Sequence, residues 1–326
     1  MSKFVWRKIM GRYILKRIGY MFLTLWIIAT ITFVLIYSIP GDPIATKARV
    51  LPVKTMEAIR KKYKLDQPKY KQYISYLGNL VQGDMGESIQ YPGRRVNDMI
   101  KKEFPVSAKL GLQAVVVGLA VGLILGIIAA FYRSTWPDFV VIFIAIFGVS
   151  VPGFVFAILL QYFFGGKLGL PTAGWFSNSA WFGKGFRYTV LPTLALSIPG
   201  IASNARFMRT SVLDVINQDY VLTAKAKGVN RVNMVWRHII RNAIIPVVTI
   251  LGPRIAGIIT GTIIVETIFG IPGLGRELVN AINNRDYTVI MSLTIFFAFL
   301  YIVSLLLVDI AYVLIDPKIK LTKEKQ

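Results

Sequence analysis

The chain has 326 residues, of which 55% are hydrophobic and only 17% charged, where soluble domains carry about 25% charged residues. Several apolar runs exceed the roughly 18 residues needed to cross a bilayer, which excludes a soluble fold and indicates an integral membrane protein. The net charge of +22 lies largely beside those runs, so it points to membrane lipid as a partner and away from nucleic acid. There is no cysteine and a single histidine, His238. Disulfides and thiolate metal sites are excluded, and one imidazole cannot build a metal site. No GxxxxGK[ST] segment occurs, so the usual cradle for nucleotide phosphates is missing. Any ATP and Mg that drive this chain bind elsewhere. No bound cofactor and no catalytic residue is expected on it.

Residues 1–18 carry Lys3, Arg7, Lys8, Arg12, Lys16 and Arg17 without an acid, the mark of a cytoplasmic tail. The first span, TM1, follows at 19–39. A signal peptide would have a shorter apolar region, about 7–15 residues, and a small-residue cleavage site. This run ends instead in the turn Pro40-Gly41-Asp42-Pro43, so it is expected to be retained. Residues 40–105 are polar and form the longest non-membrane segment. Helices are expected at 54–63 and 70–81, separated by Leu65-Asp66-Gln67-Pro68. The segment holds 13 Lys+Arg against 7 Asp+Glu. The positive-inside rule counts loops of about 60 residues or fewer, so a long basic segment can still lie outside.

The transmembrane core, with the remaining five spans, is expected at 106–315. The second span, 106–132, carries Gly118, Gly122 and Gly126 on one face. Small residues at that spacing let helix backbones approach closely. The third span, 139–164, is interrupted by Pro152-Gly153. Breaks at membrane depth are tolerated where protein or water surrounds them. The loop 165–188 is rich in interface-seeking rings, among them Trp175, Phe176, Trp181, Phe182, Phe186 and Tyr188. The fourth span, 189–208, contains Pro192, Pro199 and Gly200 and ends in Ser203, Asn204 and Arg206. It is expected to be short and broken.

Residues 209–243 form a basic inside loop with its own structure. Asp219 can cap a helix, Thr223, Ala224 and Ala226 keep that helix thin, and Gly228 supplies a left-handed stop. Lys225 and Lys227 suit its C-terminal end. Asn230 can cap a second helix. There Val232, Val235, Trp236, Ile239, Ile240 and Ala243 define one apolar face, with Arg231, Asn233, Arg237, Arg241 and Asn242 largely opposite. That helix is expected to lie at a membrane surface. The fifth span, 244–268, carries Arg254 near its middle and Glu266 near its end. An external turn-rich loop, 269–288, precedes the sixth span at about 289–315. The tail, 316–326, holds Lys318, Lys320, Lys323 and Lys325. The distribution of cations predicts six spans with both termini in the cytoplasm.

The segment 219–246 resembles the EAA loop of ABC importer permeases, in its peptide-permease form. The family pattern is Glu-Ala-Ala, three residues, then Gly. The matching positions here are Leu222, Thr223, Ala224 and Gly228, so the Glu is absent. The general pattern places a Pro where this chain has Arg241. The run WRHIIRNAIIP, 236–246, is similar instead to dipeptide and oligopeptide permeases. VETIFGIPGLG, 265–275, and the external elements IPGDP, LDQP and GDMGES resemble the same family. The likeness covers roughly residues 12–316.

The resemblance implies an all-α integral membrane protein with six transmembrane helices, the type I ABC importer permease fold. It implies a subunit of a dipeptide or oligopeptide importer in a prokaryotic inner or plasma membrane. The partners would be a second related permease, two ABC ATPase subunits, a peptide substrate, and a substrate-binding lipoprotein or periplasmic protein. Coupling to the ATPases would fall to Asp219, Tyr220, Leu222, Thr223, Ala224, Ala226, Lys227 and Gly228. Arg254, Glu266 and Asn204 are candidates for the translocation path, since polar groups inside a membrane mark such paths. Asp42, Asp84, Gly273, Gly275 and Arg285 are candidates for docking the external binding protein. Relatives carrying nickel, glutathione or sugar are alternatives. A self-contained secondary transporter is another, although it would show internal repeats and mid-membrane acids for coupling ions, which are not evident here. A non-transporting scaffold fits poorly with broken spans and Arg254.

Overall fold

The computed structural model describes residues 3–40, 44, 52–176 and 184–315, with the side chains of 3–14, 248–261 and 308–315 outside that description. Every regular element among the described residues is helical, and one isolated bridge joins Glu87 to Arg95. The chain divides into two compact units, Met1–Pro105 with Arg276–Leu306 and Val106–Gly275 with Leu307–Gln326.

In the first unit, α1 runs over Lys3–Ser38, α2 over Val53–Lys62 and α3 over Lys69–Val81. The two short helices fall within a residue of their expected positions. Proline precedes each of them, Pro52 and Pro68, as suits the start of a helix. Phe33, Ile36, Ile44, Met56, Ile89, Tyr287 and Met291 form this unit's core. Tyrosines close around it. The Phe33 ring lies 4.4 Å from that of Tyr37, 5.3 Å from Tyr73 and 5.9 Å from Tyr76.

Helix α4 occupies Val96–Phe131 and contains Pro105. It begins ten residues before the expected span because Val96 and Met99 are themselves buried. The apolar run alone did not show that the polar approach to it is helical too. The boundary between the units falls at Pro105, where the ring removes one hydrogen bond from the helix.

In the second unit, α5 spans Trp136–Ser150 and α6 spans Gly153–Phe164. They meet at Val151-Pro152 with a bend of 106°. The interruption foreseen at Pro152-Gly153 is therefore a sharp corner in the chain. Helix α7 runs over Arg187–Ile216, with Pro192 and Pro199 inside it. The expectation of a short, broken fourth span is overturned. Each proline deletes one backbone bond, but Leu191, Ala195, Ala202, Ala205 and Met208 are buried along the helix and hold it straight through. Three further helices complete the chain: α8 over Asp219–Ala226, α9 over Arg241–Ile268 and α10 over Leu274–Asn283. The last, α11, covers Tyr287–Ile315.

The glycine stripe of α4 meets α7 as its spacing required. A methyl group on Gly118 would lie 3.4 Å from the carbonyl oxygen of Ser197. On Gly122 it would lie 2.6 Å from Asn204 Cβ, and on Gly126 only 2.5 Å from the carbonyl oxygen of Ala205. On the other flank of α7, Gly148 of α5 stands so close that a methyl group there would lie 2.7 Å from Ala202 Cβ. A bidentate pair fixes the far end of α7. Arg209 Nε and Nη2 reach the buried Asp138 carboxylate at 2.5 and 2.8 Å. Asp138 also accepts from the Ser134 backbone N–H at 2.9 Å.

Among the described residues, Leu15–Ser38, Val96–Phe131 and Tyr287–Leu307 are long and apolar enough to cross a membrane, and the bent α5–α6 pair adds a fourth if it is one span. We expect Gly126→Val to destabilise the second unit by about 1–3 kcal/mol, because the added atoms meet backbone and not a movable side chain. Gly153→Ala is the control, since its nearest neighbour would be Pro199 Cγ at 3.7 Å. Thermal unfolding of the detergent-solubilised protein reads both, and equal melting temperatures would refute the close approach.

Candidate functional site

The short helix α8 starts one residue earlier than its sequence suggested. Gln218 is the N-cap, and its carbonyl oxygen accepts from the N–H groups of Val221 and Leu222 at 2.9 and 3.3 Å. Asp219 stands in the first turn, where its charge favours the helix dipole. The other end follows the expectation closely. Gly228 adopts φ +75°, its N–H donates to Lys225 O at 3.1 Å, and the Val229 N–H reaches back to Ala224 O at 3.2 Å. This is the Schellman closure that a left-handed glycine permits.

Val221 and Ala224 point inward. Val221 joins Met208 and Val212 of α7 with Ile239, Ile240, Ala243 and Val247, and Ala130 of α4 lies in the same cluster. Asp219, Tyr220, Leu222, Thr223, Ala226, Lys227 and Gly228 are exposed. The small Ala224 thus serves the fit of α8 to its own chain. The outward surface carries larger groups, with Tyr220 42% and Leu222 56% exposed.

After Gly228, Asn230 Oδ1 accepts from the Val232 N–H at 3.0 Å, as expected of a cap. The helix that follows is not regular. A single turn at Arg231–Asn233 passes into a π-helical stretch, Met234–Ile240, and then directly into α9. The separate amphipathic helix of the sequence reading is corrected to one continuous rod with a π segment near its start. A π turn holds extra residues per turn, so the face written at 3.6 residues per turn is split. Ile239, Ile240 and Ala243 are buried, whereas Val232 and Trp236 are exposed.

The groups assigned to a translocation path are placed as follows. Asn204 is buried and donates Nδ2 to Gly118 O at 3.0 Å. Glu266 is fully buried, and its Oε2 accepts from the Gly275 N–H at 2.8 Å while its backbone O accepts from Ile271 at 2.8 Å. Ser107 Oγ adds a bond from the Leu274 N–H at 3.0 Å. Glu266 is thereby joined to the two glycines that sequence reasoning had put in a different role. A methyl group on Gly273 would lie 2.5 Å from the Glu266 carboxyl, and one on Gly275 would lie 2.5 Å from Ile263 Cα. Both glycines are buried. Arg254 lies within α9, but its side chain is outside the described residues, and Asp42 lies outside them altogether.

Asp84 accepts from the Gly86 N–H at 3.0 Å and stands 3.5 Å from Arg95. Arg285 is exposed and left-handed, φ +54°, at the end of α10. Its N–H donates to Ile282 O at 3.1 Å and the Asp286 N–H donates to Ala281 O at 2.8 Å. The turn is the same closure that Gly228 makes, with an arginine where glycine is usual. Sequence reasoning missed Asp286 beside it. This buried carboxylate accepts from the Ser88 hydroxyl, from Ile89 N at 3.1 Å and from Gln90 N at 3.2 Å. The available signal was an Asp immediately before an apolar helical run, an N-cap pattern. A cleft of about 270 Å³ beside it is lined by Tyr91, Arg94, Glu277, Asn280 and Asn284.

Compared with known proteins, residues 122–321 match the family described as the binding-protein-dependent transport system inner membrane component. Residues 10–110 match its N-terminal companion. This chain belongs to that family. It is 43% identical to the dipeptide transport system permease protein DppB of Bacillus subtilis, over 97% of this chain and all of the relative. It is 41% identical to the oligopeptide transport system permease protein OppB of Haemophilus influenzae, over 95% of this chain and all of the relative. The DppB of Lactococcus lactis subsp. cremoris is 36% identical over 96% of this chain and its whole length. A crystal structure of an amino acid ABC transporter with histidines shares the fold at a TM-score of 0.50 and 17% identity, covering 65% of this chain and 92% of that one. Membership places the chain in the membrane and among transport components.

One carboxylate in the segment between α3 and α4 gives a pH prediction. Glu87 accepts from the Gly93 N–H at 2.6 Å and from Lys62 Nζ at 2.7 Å. The Gly93 bond first and the Lys62 bond next hold its carboxyl below the ordinary 4.5. A depressed carboxyl stabilises the folded form above the unfolded value and loses that contribution as the pH falls through the folded value. The first unit should therefore soften below about pH 4.5, and Glu87→Gln should flatten that part of the acid limb. Melting temperature against pH, wild type beside variant, checks it.

Proposed function

We propose that this chain is a permease subunit of an ATP-driven importer of dipeptides or oligopeptides. Its full-length likeness to dipeptide and oligopeptide permeases carries the substrate class. Six spans pair with those of a second related permease to form the path. Both termini lie in the cytoplasm, two ATPase subunits bind ATP and Mg there, and an external binding protein delivers the peptide.

The seating of α8 carries the coupling role. A short helix is tied by Val221 to both α7 and the start of α9, buries Ala224 beside it, and turns Tyr220 and Leu222 outward. Such a helix can fill a cleft on an ATPase and pass its displacement to two long helices at once. Two variants separate seat from surface. Leu222→Glu should leave the melting temperature of the permease unchanged and abolish ATPase co-purification and peptide uptake in vesicles. Ala224→Glu puts an unpaired charge into the seat, a cost of several kcal/mol, and should lower the melting temperature as well. Normal assembly and uptake in Leu222→Glu would remove α8 from the coupling role.

Arg254 is the candidate for the aqueous path. It stands about ten residues into α9's apolar stretch, where a lipid-facing Arg costs at least about 2.5–3.5 kcal/mol. A guanidinium in a wet cavity attracts the C-terminal carboxylate that every linear peptide with a free terminus carries. This chain has no native cysteine, so Arg254→Cys can be probed cleanly once the partner subunits are cysteine-free. It should react with a membrane-impermeant thiol reagent in at least one nucleotide state of the transporter. Protection in every state, beside reactive loop controls, would assign Arg254 to a sealed structural contact.

On the external side, Asp84 and Arg285 belong to the proposed landing surface. Arg285 holds a left-handed backbone that costs a non-glycine residue about 1 kcal/mol or more. Strain of this kind is commonest where a side chain has a task. Gly273 and Gly275 are buried, so any part they have in docking comes through the shape of their own loop.

A further inference from the structure

Helix α3 has more apolar surface than its own chain covers. At about 100° per residue, Tyr73, Tyr76 and Leu80 share one face, Tyr70, Ile74, Leu77 and Val81 the next, and Lys71, Ser75 and Asn79 the third. The first face meets the core of its unit. Tyr73 and Tyr76 lie against Phe33, and Tyr73 shares a hydrogen bond of 2.7 Å with Thr30. The third face is polar, with Ser75 accepting from Lys64 Nζ at 2.7 Å. Most of the second face is bare, with Leu77 half-buried. Tyr70 is 62% exposed, Ile74 64% and Val81 88%. A helix standing in water between a protein face and a polar face has no reason to keep that stripe.

The depth of α3 along α1 supplies the reason. The apolar stretch of α1, Leu15–Ser38, has 24 residues, about 36 Å at 1.5 Å per residue. It therefore overhangs a hydrocarbon core of about 30 Å by only a few ångström at each end. Lys69 Nζ donates to Tyr37 O at 3.0 Å, one residue from the end of α1. Thr30, the partner of Tyr73, lies eight residues before Ser38, about 12 Å deeper along the helix. A tyrosine side chain is too short to bridge that depth from the membrane surface. The helix backbone must itself descend beside the span. The adjacent face of α1 is open too, with Ile31, Val34 and Leu35 exposed.

We propose that α3 is an interfacial helix whose Tyr70, Ile74 and Val81 stripe is seated in the lipid of the leaflet where residues 40–105 emerge. Lys69 and Lys71 reach from it to the headgroups, in keeping with the excess of cations over acids in this segment. An amphipathic helix with an apolar stripe beside lysines binds in this way at the boundary of headgroups and acyl chains. The inference rests on the membrane embedding of the family and not on the peptide reading, so its failure would leave that reading untouched. It removes α3 from the surface open to an external binding protein.

The test is depth-resolved spin labelling of the whole transporter in nanodiscs of phosphatidylethanolamine and phosphatidylglycerol, with cysteine-free partner subunits. Nitroxides go on Ile74→Cys and Val81→Cys, with Leu35→Cys as the lipid reference and Lys61→Cys as the water reference. The expected result is greater collisional access to oxygen than to a water-soluble nickel chelate at both stripe positions, matching Leu35. Nickel access above oxygen, as at Lys61, would overturn the proposal. So would protection from both reagents, which would mark a protein partner on the stripe. Val81, the most exposed position, keeps the test alive if Ile74→Cys assembles poorly.

Discussion

Helix α4 can touch α7 backbone to backbone only because Gly118, Gly122 and Gly126 carry no side chain. Added methyl groups would stand 2.5–3.4 Å from α7 atoms at those three positions. In lipid, water gives no extra drive to bury one apolar helix against another, so such closeness supplies the packing energy. Asn204 makes its bond to Gly118 O across this same seam, at 3.0 Å. A polar group that sequence logic assigns to a path thereby also ties two helices together. The prolines of α7 also become tolerable, because the helix is clasped over its length and does not depend on every internal hydrogen bond.

From that clasped helix the elements around α8 hang in a defined way. Met208 and Val212 near the end of α7 form half of the seat for α8, and Ile239, Ile240 and Ala243 form the other half. The Arg209–Asp138 pair fixes the same end of α7 to the start of α5. Removing one partner of such a buried pair typically costs about 3–5 kcal/mol, since the other charge stays behind. The seat is small and apolar, and its neighbours are fixed by geometry and charge. The π segment before α9 is the softer part, where the hydrogen bonding departs from the α pattern. π segments of this kind recur at functional sites.

The parts legible in the sequence are those with a local cause. Gly228 as a left-handed stop, Asn230 as a cap, the stripe of α4 and the corner at Pro152 each follow from one residue type and its stereochemistry. The parts not legible depend on partners distant in sequence. Nothing near Glu266 says that its carboxylate will be used by the Gly275 N–H, and nothing near Asp286 names Ser88, 198 positions away. By sequence, Gly273 and Gly275 are docking candidates in a turn-rich loop, and glycine supports both turns and close approach. Only the position of the Glu266 carboxyl distinguishes the two. The apolar face drawn from Val232 to Ala243 failed for a subtler reason. It assumed an α-helical period through a stretch that folds as π.

The loop after α9 shows how a buried acid can serve a tight turn in a membrane protein. Glu266 stands at the end of α9, where the chain must turn sharply through Pro272 and Gly273. The turn leaves backbone N–H groups without helical partners, and an unbonded buried N–H costs about 1–3 kcal/mol. The Glu266 carboxylate takes the Gly275 N–H, and Ser107 takes that of Leu274. Phe269 O receives the Gly174 N–H at 2.7 Å, and Gln161 donates to Ile268 O at 3.0 Å. Four separate stretches, around 107, 161, 174 and 266, thus converge on one short loop. A neutral, isosteric Gln at 266 would keep the shape but present an N–H₂ to donors that need an acceptor, or give up charge assistance in the one bond that remains. The turn needs an acceptor at this point, and one oxygen of the Glu266 carboxyl group supplies it.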